Sequence, residues 1–356
     1  MTAMPETETS TNGSSAQSNL LEVRHLVQEF QRRHSSGVKG GVVKAVSDVS
    51  LHMNVGETLG IVGETGSGKS TLARTIILAP KPKSGEVIFK GVDLTKLPKR
   101  GLRTHMRGLQ MVLQDPYSSL NPKWRVSDIV EEPLVGFEVG TPADRKRRVA
   151  EVLNLVGLNP TIYGRRRPRG LSGGQAQRVA IARALALSPS LIICDEAVSS
   201  LDVLIQAQIL RLFEKLRDEL GLSYLFIAHD LAIVKQVSDR VAVMYLGKLC
   251  EVGPSEELYR MPLHPYTDAL IASVPNPDPT AERVSTQSKI LGEMGSPTNP
   301  PSGCRFRTRC PKAQERCAVE EPQLRMLAPN HQVACHFPLN TKADDRSPEM
   351  SGVAAG

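Results

Sequence analysis

The chain has 356 residues, of which 40% are hydrophobic and 23% charged, the balance of an ordinary globular protein with room for one large domain and a smaller appendage. A membrane-spanning helix is excluded by the sequence, which nowhere runs about eighteen apolar residues unbroken; the most apolar stretch, VAIARALALSPSLIIC, is interrupted by Arg183, Ser188, Pro189 and Ser190. A net charge of +7 permits contact with anionic nucleotide, lipid or nucleic acid without selecting among them.

Residues 1–19 have neither a basic start nor an apolar core, so they read as a disordered tail and not as a secretion signal, and the chain is expected in the cytosol. From Leu20 to Met53, β-prone runs flank the glycine-rich SSGVKGG, a pattern of strands and turns. ETLGIVGE then reads as a buried strand. VIFK, LQMVLQ, LIICDE, LSYLFIA and RVAVMYL repeat that short signature with helical stretches between several of them. Strands alternating with helices predict an α/β fold with a largely parallel, helix-covered sheet.

GIVGETGSGKST follows the first buried strand and opens a helix. Within it Gly63, Gly68, Lys69 and Ser70 have the G-x-x-x-x-G-K-S spacing of a phosphate-binding loop. The loop runs Gly63, Glu64, Thr65, Gly66, Ser67, Gly68, Lys69, Ser70 and Thr71. Its backbone N–H groups are expected around a β-phosphate, Lys69 on the β- and γ-oxygens, and the Ser70 hydroxyl on Mg²⁺. Further along, TPADRKRRVAEVLNLVG has a Thr cap and Pro at the first helical position, and sets Val149, Val152, Leu153 and Val156 on one face. The run GRRRPRG, lacking interleaved aromatics, reads as a solvated face or a dock for a neighbouring subunit.

In GLSGGQAQRVAIARAL, Ser172, Gly173 and Gly174 stand at a helix start, where free N–H groups favour a second phosphate contact. LIICDE is a buried strand that delivers Asp195 to the outer coordination sphere of the metal and Glu196 to the water opposite a γ-phosphate. Alone it could equally be a strand end with a solvated turn; beside a phosphate loop it reads as the acidic partner. VLIQAQILRLFEKLRDEL lines up Ile205, Ile209, Leu212, Phe213, Leu216 and Leu220 as a core stripe.

Around Pro275 a proline-rich linker, SVPNPDPTAE, precedes a segment in which Cys304, Cys310, Cys317 and Cys335 are spaced C-x5-C-x6-C-x17-C. Cytosolic thiols are kept reduced, so clustered cysteines point to metal and not to disulfides. The spacing is unlike the close knuckles of zinc ribbons, and four thiolates suit an iron–sulfur cluster; zinc or four free thiols remain alternatives. Arg305, Arg307, Arg309, Lys312 and Arg316 would partly offset the charge of such a site, whereas Cys194 and Cys250 read as core residues. A small, proline-rich segment can barely bury a core, so metal would serve to fold it.

Phosphate loops occur in kinases, GTPases, helicases and transporters, but LSGGQ just before the acidic strand resembles the ATP-binding cassette (ABC) family. That resemblance implies an ABC-type P-loop NTPase core with an antiparallel β subdomain and a helical subdomain inserted over about 116–186. It makes Gln114 the Q-loop glutamine and a Mg²⁺ ligand with Ser70 and Asp195. Gln175 completes the signature, Asp202 is the D-loop residue, His229 the catalytic switch beside Glu196, and Phe30 the aromatic stacked on adenine. It also implies a head-to-tail pair of cassettes, the signature of each closing the ATP site of the other. Ala197, where relatives have Pro, and Gly170, before the signature, depart from the family pattern without removing a catalytic group.

The region after the cassette, including His264, Pro265 and Tyr266 and the cysteine segment, resembles the ATPase subunits of dipeptide and oligopeptide importers. Domains are accordingly expected at 20–275 (cassette), 276–340 (importer-type C-terminal region with the cysteines) and 341–356 (disordered tail). The resemblance implies ATP, Mg²⁺ and a [4Fe–4S] cluster, with zinc the lesser alternative. As partners it implies a second, identical or different, ATPase subunit, two transmembrane permeases and an extracytoplasmic solute-binding protein, with no nucleic acid, at the cytoplasmic face of the inner membrane. Relatives also carry nickel, glutathione, opines or oligosaccharides. A soluble ABC ATPase acting on nucleic acid or ribosomes is the competing class.

Overall fold

The runs TLGIV, LIICD and SYLFI are buried along their whole length, because each is a central strand covered on both faces, whereas SGEVIF in a second sheet and LQMV at a sheet edge are only partly buried. In the computed structural model, which describes residues 19–33, 39–273 and 292–340, the strands are β1 (Asn19–Arg33), β2 (Lys39–Asn54), β3 (Thr58–Val62), β4 (Ser84–Phe89), β5 (Val92–Asp93), β6 (Leu109–Val112), β7 (Leu191–Asp195), β8 (Ser223–Ile227), β9 (Arg240–Tyr245), β10 (Lys248–Pro254), β11 (Arg325–Ala328) and β12 (His331–Val333). The helices that frame the site and its supports are α1 (Lys69–Ile76), α2 (Val126–Gly136), α3 (Pro142–Leu155), α4 (Gly173–Leu185), α5 (Val203–Leu220) and α6 (Pro265–Ala272). Apart from Asn19, which opens β1, and Ser273, the expected tails, most of the SSGVKGG turn and the proline-rich linker lie outside the described residues. Among the described residues no helix is long and apolar enough to cross a membrane.

The larger sheet has the order β11-β12-β10-β9-β3-β8-β7-β6. Strands β9, β3, β8, β7 and β6 pair in parallel, and β10, β12 and β11 extend them antiparallel. A separate antiparallel sheet, β2-β1-β4-β5, lies over one face. Side chains alternate across a strand, and so the central strands feed two cores. Ile192, Cys194, Tyr224, Phe226 and Val243 point to the helical side. Leu191, Ile193, Leu225, Ile227 and Met244 point to the side of the antiparallel sheet. On the helical side Phe213 of α5 stands edge-on to Tyr224 and Phe226, with ring centroids 5.3 and 6.0 Å apart.

Between β6 and β7 the chain is mainly helical, and α2, α3 and α4 pack on one another. Thr141 caps α3 as expected, its hydroxyl accepting from the Asp144 N–H while the Asp144 carboxylate accepts from the Thr141 N–H. Val149, Val152, Leu153 and Val156 are all buried. The α5 stripe holds at Ile209, Leu212, Phe213 and Leu216, but Leu220 is 44% exposed where the last turn runs past the core and Gly221 ends the helix at φ 64°.

Strand β10 anchors the C-terminal part of the chain. Its Glu251 is fully buried and accepts from the Leu263 N–H (2.7 Å), the His264 N–H (2.9 Å) and His331 Nε2 (2.7 Å). One carboxylate thereby ties the start of α6 and strand β12 to the sheet.

Candidate functional site

Parallel strands end at the same edge of a sheet, so the loops after β3, β6, β7 and β8 open side by side. The register sets Ile61 beside Ile227, Ile227 beside Asp195, and Cys194 beside Val112. This alignment gathers the phosphate loop, Gln114, Asp195, Glu196 and His229, residues scattered over more than a hundred and fifty positions of the chain, at one edge.

The loop curls as its glycines require. Gly63 and Gly68 have φ of 149° and 107°, and a Cβ at either would stand 2.1 Å from a backbone oxygen, of Met244 and Ala45 respectively. The buried Lys69 ammonium donates to the Gly63 and Glu64 carbonyls at 2.7 and 3.0 Å. Burial pushes its pKa down, against the pull of Glu196, Asp195 and Glu64. Ser67 is buried and its N–H donates to the Glu64 carbonyl, while Thr65 and Gly66 are exposed at the crest and Thr71 is half-buried in the first turn of α1.

The Ser70 hydroxyl donates to Asp195 Oδ1 at 2.7 Å. Burial pushes the Asp195 carboxyl up, with the Ser70 bond and Arg74, 3.9 Å from Oδ2, opposing. Two hard oxygens in contact beside an ammonium form a donor set of the kind Mg²⁺ takes. Glu196, one residue on, is at φ 51°, and its Oε2 lies 3.7 Å from Nδ1 of the exposed His229. Gln114 is exposed, and its carbonyl accepts from the Ser200 hydroxyl at 3.1 Å, which ties the loop after β6 to the one after β7.

Other expected residues face elsewhere. Ser172 is exposed and caps α4 in a reciprocal pair with Gln175; Gly173 and the buried Gly174 form the first turn, where a Cβ on Gly174 would come within 2.6 Å of Ile205. Asp202 caps α5 by accepting from the Ile205 N–H. Phe30 sits on β1 in the antiparallel sheet, 40% exposed. Arg165, Arg166, Arg167 and Arg169 are exposed, with the Arg166 guanidinium 4.8 Å from the Tyr163 ring centroid.

The four clustered cysteines are all free and line one narrow cavity of about 10 Å³, together with His264 and Phe306. Burial raises the thiols of Cys304, to about 11, Cys310, and Cys335, to about 12, so binding a metal at these three would release protons. Among the described residues, however, no group of three or more His, Cys, Asp or Glu is set to hold a single metal ion. A lone ion needs its ligands within bonding distance of one point, whereas a cubane spreads four thiolates over four corners. The cavity as it stands admits about one water, so a group of that size would need its walls to part. Cys194 and Cys250 are buried, as expected of core residues.

The five basic residues of this segment divide their contacts. Of the five basic residues, Arg305 donates to the Leu246 carbonyl, Arg316 pairs with Glu320, and the Arg309 guanidinium reaches Glu64; only Arg307 and Lys312 line the cysteine cavity. Sequence reasoning missed this role of Arg309, as it did the contacts of Tyr266, whose hydroxyl accepts from the Glu64 N–H at 2.8 Å. The His-Pro-Tyr run marked the place, but nothing in the sequence links it to a residue 202 positions away.

The family described as "ABC transporter" matches residues 46–199, and that described as "Oligopeptide/dipeptide transporter, C-terminal region" matches residues 250–317. The oligopeptide transport ATP-binding protein AppF of Bacillus subtilis is 49% identical over 90% of this chain and 98% of its own length. The oligopeptide transport ATP-binding protein OppF of Haemophilus influenzae is 47% identical over 89% and 96%. Among solved structures, the dimeric post-hydrolysis state of the ATP-binding cassette MJ0796 bound to ADP and Pi superposes with a TM-score of 0.57 at 28% identity, covering 66% of this chain and 98% of that one.

Proposed function

From the premise that this chain belongs to the ATP-binding subunits of oligopeptide ABC transporters, we propose that it hydrolyses ATP to drive uptake of di- or oligopeptides through two partner permeases at the cytoplasmic face of the inner membrane. A solute-binding protein outside the membrane would deliver the cargo. The observation that carries this reading is the meeting of Lys69, the Ser70–Asp195 pair, Glu196 and His229 at one sheet edge.

In this mechanism Lys69 leaves the Gly63 and Glu64 carbonyls for the β- and γ-phosphate oxygens, and the loop's N–H groups take the β-phosphate. Ser70, Gln114 and Asp195 would hold Mg²⁺, which when bound neutralises the triphosphate charge. Glu196 accepts the proton of the water that attacks the γ-phosphorus, ADP leaves with the β–γ bridging oxygen, and His229 holds the attacking side of the site. Phe30 supports the adenine. Ser172, Gly173, Gly174 and Gln175 meet the γ-phosphate of the partner cassette, and Asp202 lies at the same interface. Loss of the γ-phosphate removes the bridge and lets the pair open.

Cys304, Cys310, Cys317 and Cys335 would hold a [4Fe–4S] cluster that fixes the C-terminal segment, a reading supported by their common cavity. Iron and sulfide in anaerobically purified protein are expected; stoichiometric zinc in colourless protein overturns this part. For the transport role, the chain should copurify with permeases, and the reconstituted complex should hydrolyse ATP faster with a peptide-loaded binding protein. Stimulation by nickel, glutathione, opines or oligosaccharides in place of peptides would reassign the cargo, and nuclease-sensitive association with nucleic acid would overturn the transport role.

A further inference from the structure

Glu64 is the pivot of the phosphate loop. Its carbonyl accepts from Lys69 Nζ and from the Ser67 N–H, and its own N–H donates to Tyr266 of α6. Its carboxylate accepts from Arg309 Nη1, 3.0 Å from both oxygens, and Arg309 also donates to the Tyr245 hydroxyl at 3.3 Å. Arg309 is 7% and Glu64 25% exposed at the side chain, so the pair is shielded from water and its geometry is held. The Tyr245, Tyr266 and Phe306 rings pack with centroids 4.7 to 5.3 Å apart beneath it.

A second arm runs from the same segment. Arg305 donates to the carbonyl of Leu246, and the N–H of the next residue, Gly247, donates to the Ser67 carbonyl at 2.7 Å. Arg305, Phe306 and Arg309 all lie between Cys304 and Cys310. The stretch that joins two of the clustered cysteines therefore braces the phosphate loop at Glu64 directly and at Ser67 through one turn.

Resting on the reading of residues 63–71 as the ATP phosphate site, we propose that Arg309 and Tyr266 are positioning residues for that loop, and that the cysteine-bearing segment sets ATP affinity through them. Arg309 acts in two ways. It fixes the backbone that receives Lys69, and it compensates a carboxylate that would otherwise stand uncompensated beside a triphosphate. The second action separates a positioning role from mere stability, because removing the carboxylate should then restore what removing the arginine takes away.

Titration of the purified full chain with MgATP by calorimetry tests this. Arg309→Met is expected to weaken binding about tenfold, with Arg309→Lys near wild type, and Arg309→Met/Glu64→Gln is expected to recover most of the loss. The rate at saturating ATP should change less than about twofold. Tyr266→Phe, which deletes one hydroxyl, should weaken binding about threefold, and it decides the question if Arg309→Met does not fold. Wild-type affinity in Arg309→Met and Tyr266→Phe, with binding lost in Lys69→Ala, overturns the proposal and leaves the phosphate site standing. Undiminished binding by Lys69→Ala overturns the phosphate site itself. Weakened binding in Arg309→Met with no recovery in the double variant also overturns the proposal.

Discussion

Glu196 occupies a left-handed backbone conformation, φ 51°, that a non-glycine residue adopts at a cost of about 1 kcal/mol or more. It is held there by its N–H donating to the Ile227 carbonyl and its own carbonyl accepting from Ser199. The strained backbone turns the carboxylate toward His229 and away from the strand direction that Asp195 follows toward Ser70. Two adjacent acids thus face different partners, Asp195 the Ser70 hydroxyl and Glu196 the His229 imidazole, which in the proposed mechanism separates the metal side of the site from the attacking water. Glu196→Gln keeps the shape and removes the base, so ATP binding should persist while turnover falls about a hundredfold or more. A stalled, ATP-loaded pair seen by size-exclusion chromatography with phosphate release near background is the expected result; hydrolysis at the wild-type rate would reassign the base. Asp195, Glu196 and the loop from Gly63 to Thr71 could be read from the sequence because their chemistry lies in contiguous residues. Arg309 could not, since its partner is 245 positions away and the contact exists only once the C-terminal segment folds back.

At the scale of the element, β10 and α6 show how a polar interior can organise a region short of large apolar side chains. Glu251 holds Leu263, His264 and His331 at once, so Glu251→Ala leaves two buried N–H groups and an imidazole without their acceptor. A loss of about 3 kcal/mol or more is expected, read as a shifted urea midpoint; an unchanged midpoint would mean that the C-terminal strands are held by other contacts. His264 caps α6, its Nδ1 accepting from the Tyr266 N–H, which requires that nitrogen unprotonated. Burial holds its pKa down at about 4, below the value near 6.5 of the unfolded chain. The unfolded state therefore binds the proton first. Stability present above about pH 6.5 is lost as pH falls toward 4, by about 3 kcal/mol at most. His264→Asn retains a capping acceptor without a titration, so stability measured from pH 7 to 4.5 should be flatter in the variant; parallel curves would place the acid sensitivity elsewhere. The parallel pairing of the central strands followed from alternating strands and helices, though their order β9-β3-β8-β7-β6 did not, and the cap of α3 followed from Thr141 and Pro142. The buried carboxylate of β10 gave no signal, because Glu251 in KLCEVGP looks like an exposed strand residue until β12 covers it.

For the whole molecule, the question is why half of the expected site faces outward. The phosphate loop, Asp195 and Glu196 converge, but Ser172 is exposed and bonds only within its own helix cap, and Val203 and Leu204 at the start of α5 are 79% and 78% exposed. Large apolar side chains displayed beside an open helix N-terminus are costly in water and useful at an interface. A second cassette placed head to tail would cover both and would bring a γ-phosphate to the N–H groups of α4. The capping chemistry of Ser172 offers a clean test. Asp caps a helix as well as Ser does, so Ser172→Asp should leave α4 and the chain's own ATP binding intact while placing a carboxylate against the partner's triphosphate. ATP-dependent association with the second cassette, whether another copy or a related subunit, should then fall about tenfold or more in a Glu196→Gln background, and hydrolysis should fall with it in the otherwise wild-type chain. The repulsion should ease as ionic strength rises, since added salt screens charges at a partly hydrated interface. Association undiminished by Ser172→Asp at low salt would mean that α4 does not face a nucleotide, and the head-to-tail arrangement would have to be abandoned.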